Sequence, residues 1–287
     1  MSWHNFFRYG FSHPLASRAR SRALLNIILW QVRSRLTTKS IRNEWIGGTF
    51  LMVRKGMTGA TGNLYYGLHE FSDMGFLLHL LRPGDLFVDV GANVGSYTVL
   101  ASGVCGARSI SFEPDPKTMV DLLANIEANN LANHVTAMQM AVGAKAGELN
   151  FTVGLDTMNR IVDSGFDSSI KTQTVAVSML DHELRRMSPI FMKIDVEGFE
   201  EKVIEGADQT LANPSLIAIL LETVNENVLS ILKKHGFSAY SYDPFSRQLR
   251  EPNKNQYENN QLFVRESKVV AARVSQAPAF RALGVLI

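Results

Sequence analysis

Leu86-Phe87-Val88-Asp89-Val90-Gly91-Ala92-Asn93-Val94-Gly95, with Phe112-Glu113-Pro114-Asp115 a short way downstream, is the stretch on which the fold turns. Residues 86–90 form a short apolar run, introduced by the turn-forming Arg82-Pro83-Gly84-Asp85, and read as a buried strand. Residues 96–104 follow as a helix and 109–112 as a second strand. Gly91 lets the chain turn sharply out of the first strand, and Gly95 lets a neighbouring group approach the helix closely. Asp89 brings a carboxylate beneath that turn. Glu113, 22 residues after Gly91, closes the second strand where a carboxylate can accept hydrogen bonds from both hydroxyls of a ribose. Together these features specify a nucleoside site; a purely structural turn would not need the spaced acid.

The alternation continues downstream. Residues 117–129 carry Met119, Leu122, Leu123 and Ile126 at helical spacing, and 135–142 form a third strand. Residues 148–153 and 174–179 read as an added hairpin or crossover. Residues 190–196 and 216–222 are the fourth and fifth strands, separated by a helix over 200–211. A helix over 227–235 then leads to strands at 238–242 and 261–265. Strands spaced by helices predict a parallel, doubly wound sheet, and the last two strands, joined without a helix, predict an antiparallel edge hairpin. In such a sheet, ligands bind beyond the C-terminal strand ends, where strand order reverses.

The first loop discriminates between nucleoside cofactors. The dinucleotide fingerprint G-x-G-x-x-G uses its second glycine to seat a pyrophosphate on the helix N-terminus. Asn93 occupies that place, so the loop reads G-x-x-x-G. Asp89 repels a pyrophosphate but suits S-adenosylmethionine, which carries a sulfonium and an ammonium and no phosphate. The electrostatics choose the methyl donor over NAD. An NAD-dependent oxidoreductase is the alternative enzyme class, and a donor-binding scaffold in a biosynthetic assembly is the non-enzymatic one.

The segments 81–95, Phe112-Glu113-Pro114 and Met192-Lys193-Ile194-Asp195-Val196-Glu197-Gly198-Phe199-Glu200 occur in an order that resembles the FkbM family of methyltransferases, over roughly residues 65–222. The resemblance implies an α/β class I methyltransferase (Rossmann-like) fold, with a doubly wound, mostly parallel seven-stranded sheet, an antiparallel edge hairpin and an N-terminal helical extension. It also implies O-methylation of hydroxyls on sugars, polysaccharides or other natural products. By the same resemblance Asp89, Gly91, Ala92, Asn93, Gly95, Glu113 and Pro114 form the donor-binding loops, and Ala141 and Val142 lie near the adenine. Glu70, in Gly67-Leu68-His69-Glu70, reaches the methionine end. The expected organisation is an extension at 1–60, the methyltransferase domain at 61–267 and a C-terminal tail at 268–287.

An alcohol is a poor nucleophile at neutral pH, so a base or a metal should assist. Strand alternation sets Lys193, Asp195 and Glu197 on one face at the rim where an acceptor must sit. Such charges on a buried strand are costly unless paired or functional. Asp195 is the first choice as base or as a ligand for Mg²⁺, and Glu197 the second; a Lys193–Glu197 ion pair that only shapes the site is the plainer reading. Glu222 closes the fifth strand, where it can order substrate hydroxyls or cap the next helix. Mg²⁺ is not favoured, and no histidine spacing suits zinc. Tyr242-Asp243-Pro244-Phe245 is similar to the D/N-P-P-Y motif of amino-methylating enzymes, but it follows the wrong strand and is better read as a turn.

Composition bounds the partners. The 287 residues are 46% hydrophobic and 20% charged, with a formal net charge of +2, too small to imply nucleic acid. No aromatic-and-basic platform for RNA is evident. Residues 1–42 hold eight of the 29 basic side chains and no acid, which leaves 21 against 27 acids in the rest. Residues 14–36 predict an amphipathic helix with Leu24, Leu25, Ile28 and Leu29 on one side. It can pack on the body, act as a lid or homo-oligomer contact, or lie on a membrane surface. No run reaches the roughly 18–20 apolar residues of a spanning helix. Cys105 is the only cysteine and reads as a small buried thiol, in keeping with a reducing cytoplasm. The expectation is a cytoplasmic protein with a small-molecule or carbohydrate substrate, resting at the inner membrane face through residues 1–42 if that helix meets lipid.

Overall fold

The computed structural model describes residues 12–152, 161–162, 172–252 and 260–287. Residues 1–11 of the expected extension and Val153 of the expected hairpin lie outside the described residues. Pro14 opens the first helix, α1 (Pro14–Arg18), and the His13 ring accepts from the Ala16 N–H. Ala19, at φ −138°, separates α1 from α2 (Arg20–Leu36). The packed side of α2 is Ala23, Ile27, Trp30 and Ser34, whereas Leu24, Leu25, Ile28 and Leu29 are 40–54% exposed. The apolar side singled out by sequence is therefore the outer one. Small Ala23 lets the helix approach its neighbours, and Trp30 fills the space beside them, so shape decided which face went inward.

A hairpin of β1 (Ile41–Glu44) and β2 (Phe50–Val53) follows, then α3 (Thr58–Tyr66) and α4 (Phe71–Leu80). All of α4 except Ser72 is buried, which makes it the central helix of the core. The alternating part runs β3 (Leu86–Val90), α5 (Ser96–Val99), β4 (Arg108–Phe112), α6 (Pro116–Ala128), β5 (Val135–Met138), β6 (Ala141–Val142), β7 (Gly147–Thr152), β8 (Ile161–Val162) and β9 (Thr172–Ser178). It continues through α7 (Leu180–Glu183), β10 (Phe191–Ile194), α8 (Glu200–Glu205), α9 (Asp208–Ala212), β11 (Ala218–Leu221), α10 (Glu226–Lys234), β12 (Ser238–Asp243), β13 (Gln248–Arg250) and β14 (Gln261–Val264). It closes with α11 (Ser267–Ser275), β15 (Arg281–Ala282) and β16 (Val285–Leu286). The predicted helix over 96–104 is α5 continued by a π-turn, Leu100–Val104, which ends on the buried thiol of Cys105.

The main sheet has eight strands in the order β13-β12-β14-β11-β10-β3-β4-β5, where seven were expected. Strands β5, β4, β3, β10 and β11 are parallel. Strand β14 lies between β11 and β12, antiparallel to both, so the last two predicted strands pair but do not form the edge. The edge hairpin is β12–β13. Burial explains the arrangement: Leu262, Phe263 and Val264 are all buried, whereas β12 buries only Tyr242. The strand with more apolar surface takes the inner lane. The predicted third strand also divides, because β6 leaves the main sheet and pairs with β9 in a four-stranded sheet ordered β6-β9-β7-β8.

Both faces of the main sheet are covered. Phe87 and Phe191 point to a core built with Phe76, Leu77 and Leu100, while Val88 and Met192 point to one built with Val203, Ile219 and Phe263. Val270, Val274, Ala282 and Ile287 join the first of these cores, so the segment expected as a tail is packed on the domain. Among the described residues no helix is long and apolar enough to cross a membrane.

Candidate functional site

Strand order reverses at β3: the chain proceeds to β4 and β5 on one side and to β10 and β11 on the other. The C-terminal ends of these strands open into a cleft of about 270 Å³, as expected for this topology. Gly91 turns out of β3 at φ +77°, and a Cβ there would lie 1.9 Å from the carbonyl oxygen of Asp195. Only glycine allows the first loop to lie against the β10 loop. Asn93 adopts φ +51°, a conformation asparagine tolerates better than most side chains, and its own Oδ1 accepts from Val94 N–H at 2.7 Å.

Glu113 holds the loops after β3 and β4 together. Its Oε2 accepts from Asn93 N–H and its Oε1 from Asp115 N–H, both at 2.9 Å. Burial pushes its carboxyl up to about 7 in spite of these hydrogen bonds. Ala92, Asn93, Glu113, Pro114, Ala141, Val142 and Glu70 all line the cleft with Gly91. Asp89 and Gly95 do not. Asp89 lies beneath the turn, 1% exposed, and accepts from the Thr98 hydroxyl at 2.7 Å; Gly95 packs against Leu122. They support the loop from behind. Glu70 accepts from the Tyr97 hydroxyl at 2.6 Å and from Asn260 at 3.4 Å, which fixes it at the cleft edge.

On the β10 side, Lys193, Asp195, Glu197 and Glu222 all face the cleft. The strand ends at Ile194, however, and Glu197 lies in a turn at φ +52°, so strand alternation is not what brings it to Asp195. The buried Lys193 ammonium donates to Asp195 Oδ2 at 2.7 Å, so the ion pair is with Asp195 and not with Glu197. Burial alone would lower Lys193, but Asp195, Asp89 and Glu70 outweigh it and hold it above the usual lysine value. Burial would likewise raise Asp195, yet the Lys193 charge and hydrogen bonds from Lys193 and Glu222 hold it below the ordinary carboxylate value. Glu222 moves the other way, pushed up to about 8 by burial, by the Asp195 charge and by sharing a hydrogen bond with it. At neutral pH, Asp195 is the anion and Glu222 the acid. Glu222 Oε2 is buried with no hydrogen-bond partner among the described residues.

Two contributors escaped the sequence reading. Tyr97, besides binding Glu70, places its ring 4.9 Å from the Lys193 ammonium. Glu200 is 2% exposed and accepts from Val196 N–H at 3.1 Å and Gly198 N–H at 3.3 Å, bracing the loop that carries Glu197. Glu200 sits inside the quoted 192–200 segment, so its signal was present but without a role; Tyr97 had none.

Five carboxyl groups and one ammonium line this cleft, and its first loop has no second glycine, so it suits a cationic nucleoside rather than a pyrophosphate. Fold and cleft together have the architecture of a class I methyltransferase. The Methyltransferase FkbM domain matches residues 89–239, more than half of the chain, and the chain belongs to that family. Hexuronic acid methyltransferase AglP of Haloferax volcanii is 24% identical over 143 residues, covering 50% of this chain but only 58% of that protein, less than two thirds of its length. 31-O-demethyl-FK506 methyltransferase FkbM of Streptomyces tacrolimicus is 28% identical over 210 residues, covering 58% of this chain and 79% of that one. Among solved structures, the precorrin-6y C5,15-methyltransferase of Geobacter metallireducens superposes with a TM-score of 0.38 at 14% identity, over 69% of this chain and 88% of that one.

Proposed function

We propose that the protein methylates a hydroxyl of a sugar, polysaccharide or other natural-product acceptor, with Asp195 as the proton acceptor. Bound S-adenosylmethionine supplies an electrophilic methyl group on a sulfonium. Glu113 would accept from its ribose hydroxyls, Ala141 and Val142 would border its adenine, and Glu70 would face its ammonium. The acceptor hydroxyl donates to Asp195. As its oxygen bonds to the methyl carbon and the carbon–sulfur bond breaks, leaving a neutral thioether, the hydroxyl proton becomes far more acidic than a carboxylic acid, so even a carboxylate held low by Lys193 can take it. Lys193 keeps Asp195 ionised and in place, and positioning supplies most of the remaining rate.

The observation that carries this reading is the buried Lys193–Asp195 ion pair at the cleft, beside Glu222, whose Oε2 has no hydrogen-bond partner among the described residues. That oxygen suits a second hydroxyl of a polyhydroxylated acceptor. The names of the two relatives, one specifying a hexuronic acid and the other an O-demethylated compound, agree with such a substrate. Glu197 is the second choice as base. Asp195, Glu197 and Glu222 each bring an oxygen within 4.8 Å of the others, a donor set open to Mg²⁺, but Lys193 already counters the Asp195 charge.

Asp195→Asn is expected to lower turnover by about 10²-fold or more while donor affinity by calorimetry stays within a factor of a few. Methyl transfer from labelled donor to hexuronic-acid sugars, read by mass spectrometry, assays the acceptor class. Unchanged turnover in the variant removes Asp195 as base, and methylation at nitrogen or carbon rejects the hydroxyl acceptor. Binding of NAD without adenosylmethionine would return the oxidoreductase alternative.

A further inference from the structure

Helix α2 packs on the body by its less bulky face. Ala23, Ile27, Trp30 and Ser34 recur at spacings of four, three and four, and are buried beside α3 and β2. On the opposite side Leu25, Ile28, Leu29, Val32 and Leu36 are 49–80% exposed. At the angular step of an α-helix these five fall within an arc of about 100°. Arg22 and Arg33 border the arc on one side and Arg35 on the other. The helix carries no acid at all. A contiguous apolar stripe of this length is unusual on a monomer's surface.

We infer that α2 docks in the plane of an anionic lipid surface, its outer leucine, isoleucine and valine side chains entering the acyl boundary while the flanking arginines meet headgroup phosphates. Both borders of the stripe are cationic, which complements an anionic membrane. Long arginine side chains can lie along an apolar face and still present their charge at its edge. A second copy of the chain fits less well, because a two-fold pairing of this face sets cations against cations along the helix borders. A recess of about 190 Å³ at the same border, lined by Leu29, Arg33, Arg42 and Asn43, adds guanidinium groups beside the stripe, with Glu44 on its wall. Because α3, on which α2 packs, supplies Thr58, Gly59, Ala60 and Asn63 to the cleft, docking would hold the acceptor site one helix from the headgroups. The inference stands on this helix and is independent of the acceptor reading.

The test is co-flotation of the full chain with phosphatidylglycerol-containing vesicles and with pure phosphatidylcholine vesicles, for the natural sequence and for Leu25→Gln/Leu29→Gln/Val32→Gln. Those side chains are outside the core, and an unchanged thermal midpoint and donor affinity confirm that the variant is folded. The expected result is recovery with the anionic vesicles only, weakened by salt and reduced more than about tenfold in the triple variant. A second variant, Arg22→Gln/Arg35→Gln, should lose the preference for anionic lipid. Failure of the natural chain to float overturns the proposal, as does equal recovery of the triple variant. A dimer in solution that the triple variant dissolves, without vesicle binding, would assign the face to a second copy.

Discussion

Glu113 shows how one carboxylate can organise a site. By accepting from the Asn93 and Asp115 amides it ties the loop after β3 to the loop after β4, and its remaining lone pairs face the cleft. Glu113→Gln puts an amide donor against backbone donors and removes the charge. Hydrogen bonds to a charged group contribute about 1.5–3 kcal/mol, so donor affinity should fall roughly 10–100-fold in calorimetry. The natural protein should also bind donor more tightly as pH rises through about 7, where Glu113 ionises, and the variant should not. A pH-independent affinity in the natural protein would show that Glu113 does not contact the donor as an anion. At this scale much was legible. Asp89, Gly91, Asn93 and Glu113 were identified by type and spacing, but spacing cannot say that Asp89 faces away from the cleft. That depends on Thr98, a turn further along α5, offering it a hydroxyl.

Among the elements, strands were easier to predict than their neighbours. The sequence marked 86–90, 109–112 and 261–265 as strands, and β3, β4 and β14 lie there, the last ending one residue sooner. Alternation specifies a strand without specifying what lies beside it, so the insertion of β14 between β11 and β12 could not be read. Glu197 was a similar case, since a non-glycine residue at positive φ leaves no compositional trace. Arg265, just beyond β14, was not singled out either, yet it fastens the helices behind the sheet. Its guanidinium donates to the carbonyls of Leu211, Asn213 and His235, at helix ends that would otherwise carry orphaned acceptors and partial negative charge, and to that of Leu216 ahead of β11. Arg265→Ala leaves these carbonyls without the guanidinium, and a loss of about 2–3 kcal/mol is expected in denaturant unfolding, with the slope unchanged. A loss below about 0.5 kcal/mol would mean that water replaces the guanidinium fully.

For the molecule as a whole, the buried carboxyls set the response to mild alkali. Burial lifts Glu113 to about 7 and Glu222 to about 8, above the ordinary carboxylate value that each regains on unfolding. Burial also holds His13 and His79 down to about 4, so on unfolding these imidazoles take up protons and oppose the carboxyls below about pH 7. Above that the imidazoles are neutral in both states, the folded chain binds more protons than the unfolded one, and stability falls as pH rises, because ∂ΔG/∂pH follows the difference in bound protons. The thermal midpoint should drop between about pH 7 and about pH 8.5, and Glu222→Gln should flatten part of the slope. A midpoint that rises over this range would contradict the assignment. Glu222, proposed to face the acceptor, and Glu113, proposed to face the donor, thus make the protein less stable in mild alkali.

Cys105 closes the π-turn after α5, at the end of that helix away from the loop after β3, with its Sγ 3.8 Å from the Leu78 carbonyl and its thiol pushed up to about 12 by burial. Nothing in the proposed chemistry uses it, and that gives it another value. As the only sulfhydryl in the sequence, it cannot react with an aromatic disulfide reagent until the packing around the π-turn opens. Its labelling rate under native conditions is a clock for that opening. If adenosylmethionine or its demethylated product slows the clock in proportion to occupancy, the donor loop and the π-turn open as one cooperative unit. If labelling is indifferent to ligand, the turn breathes on its own.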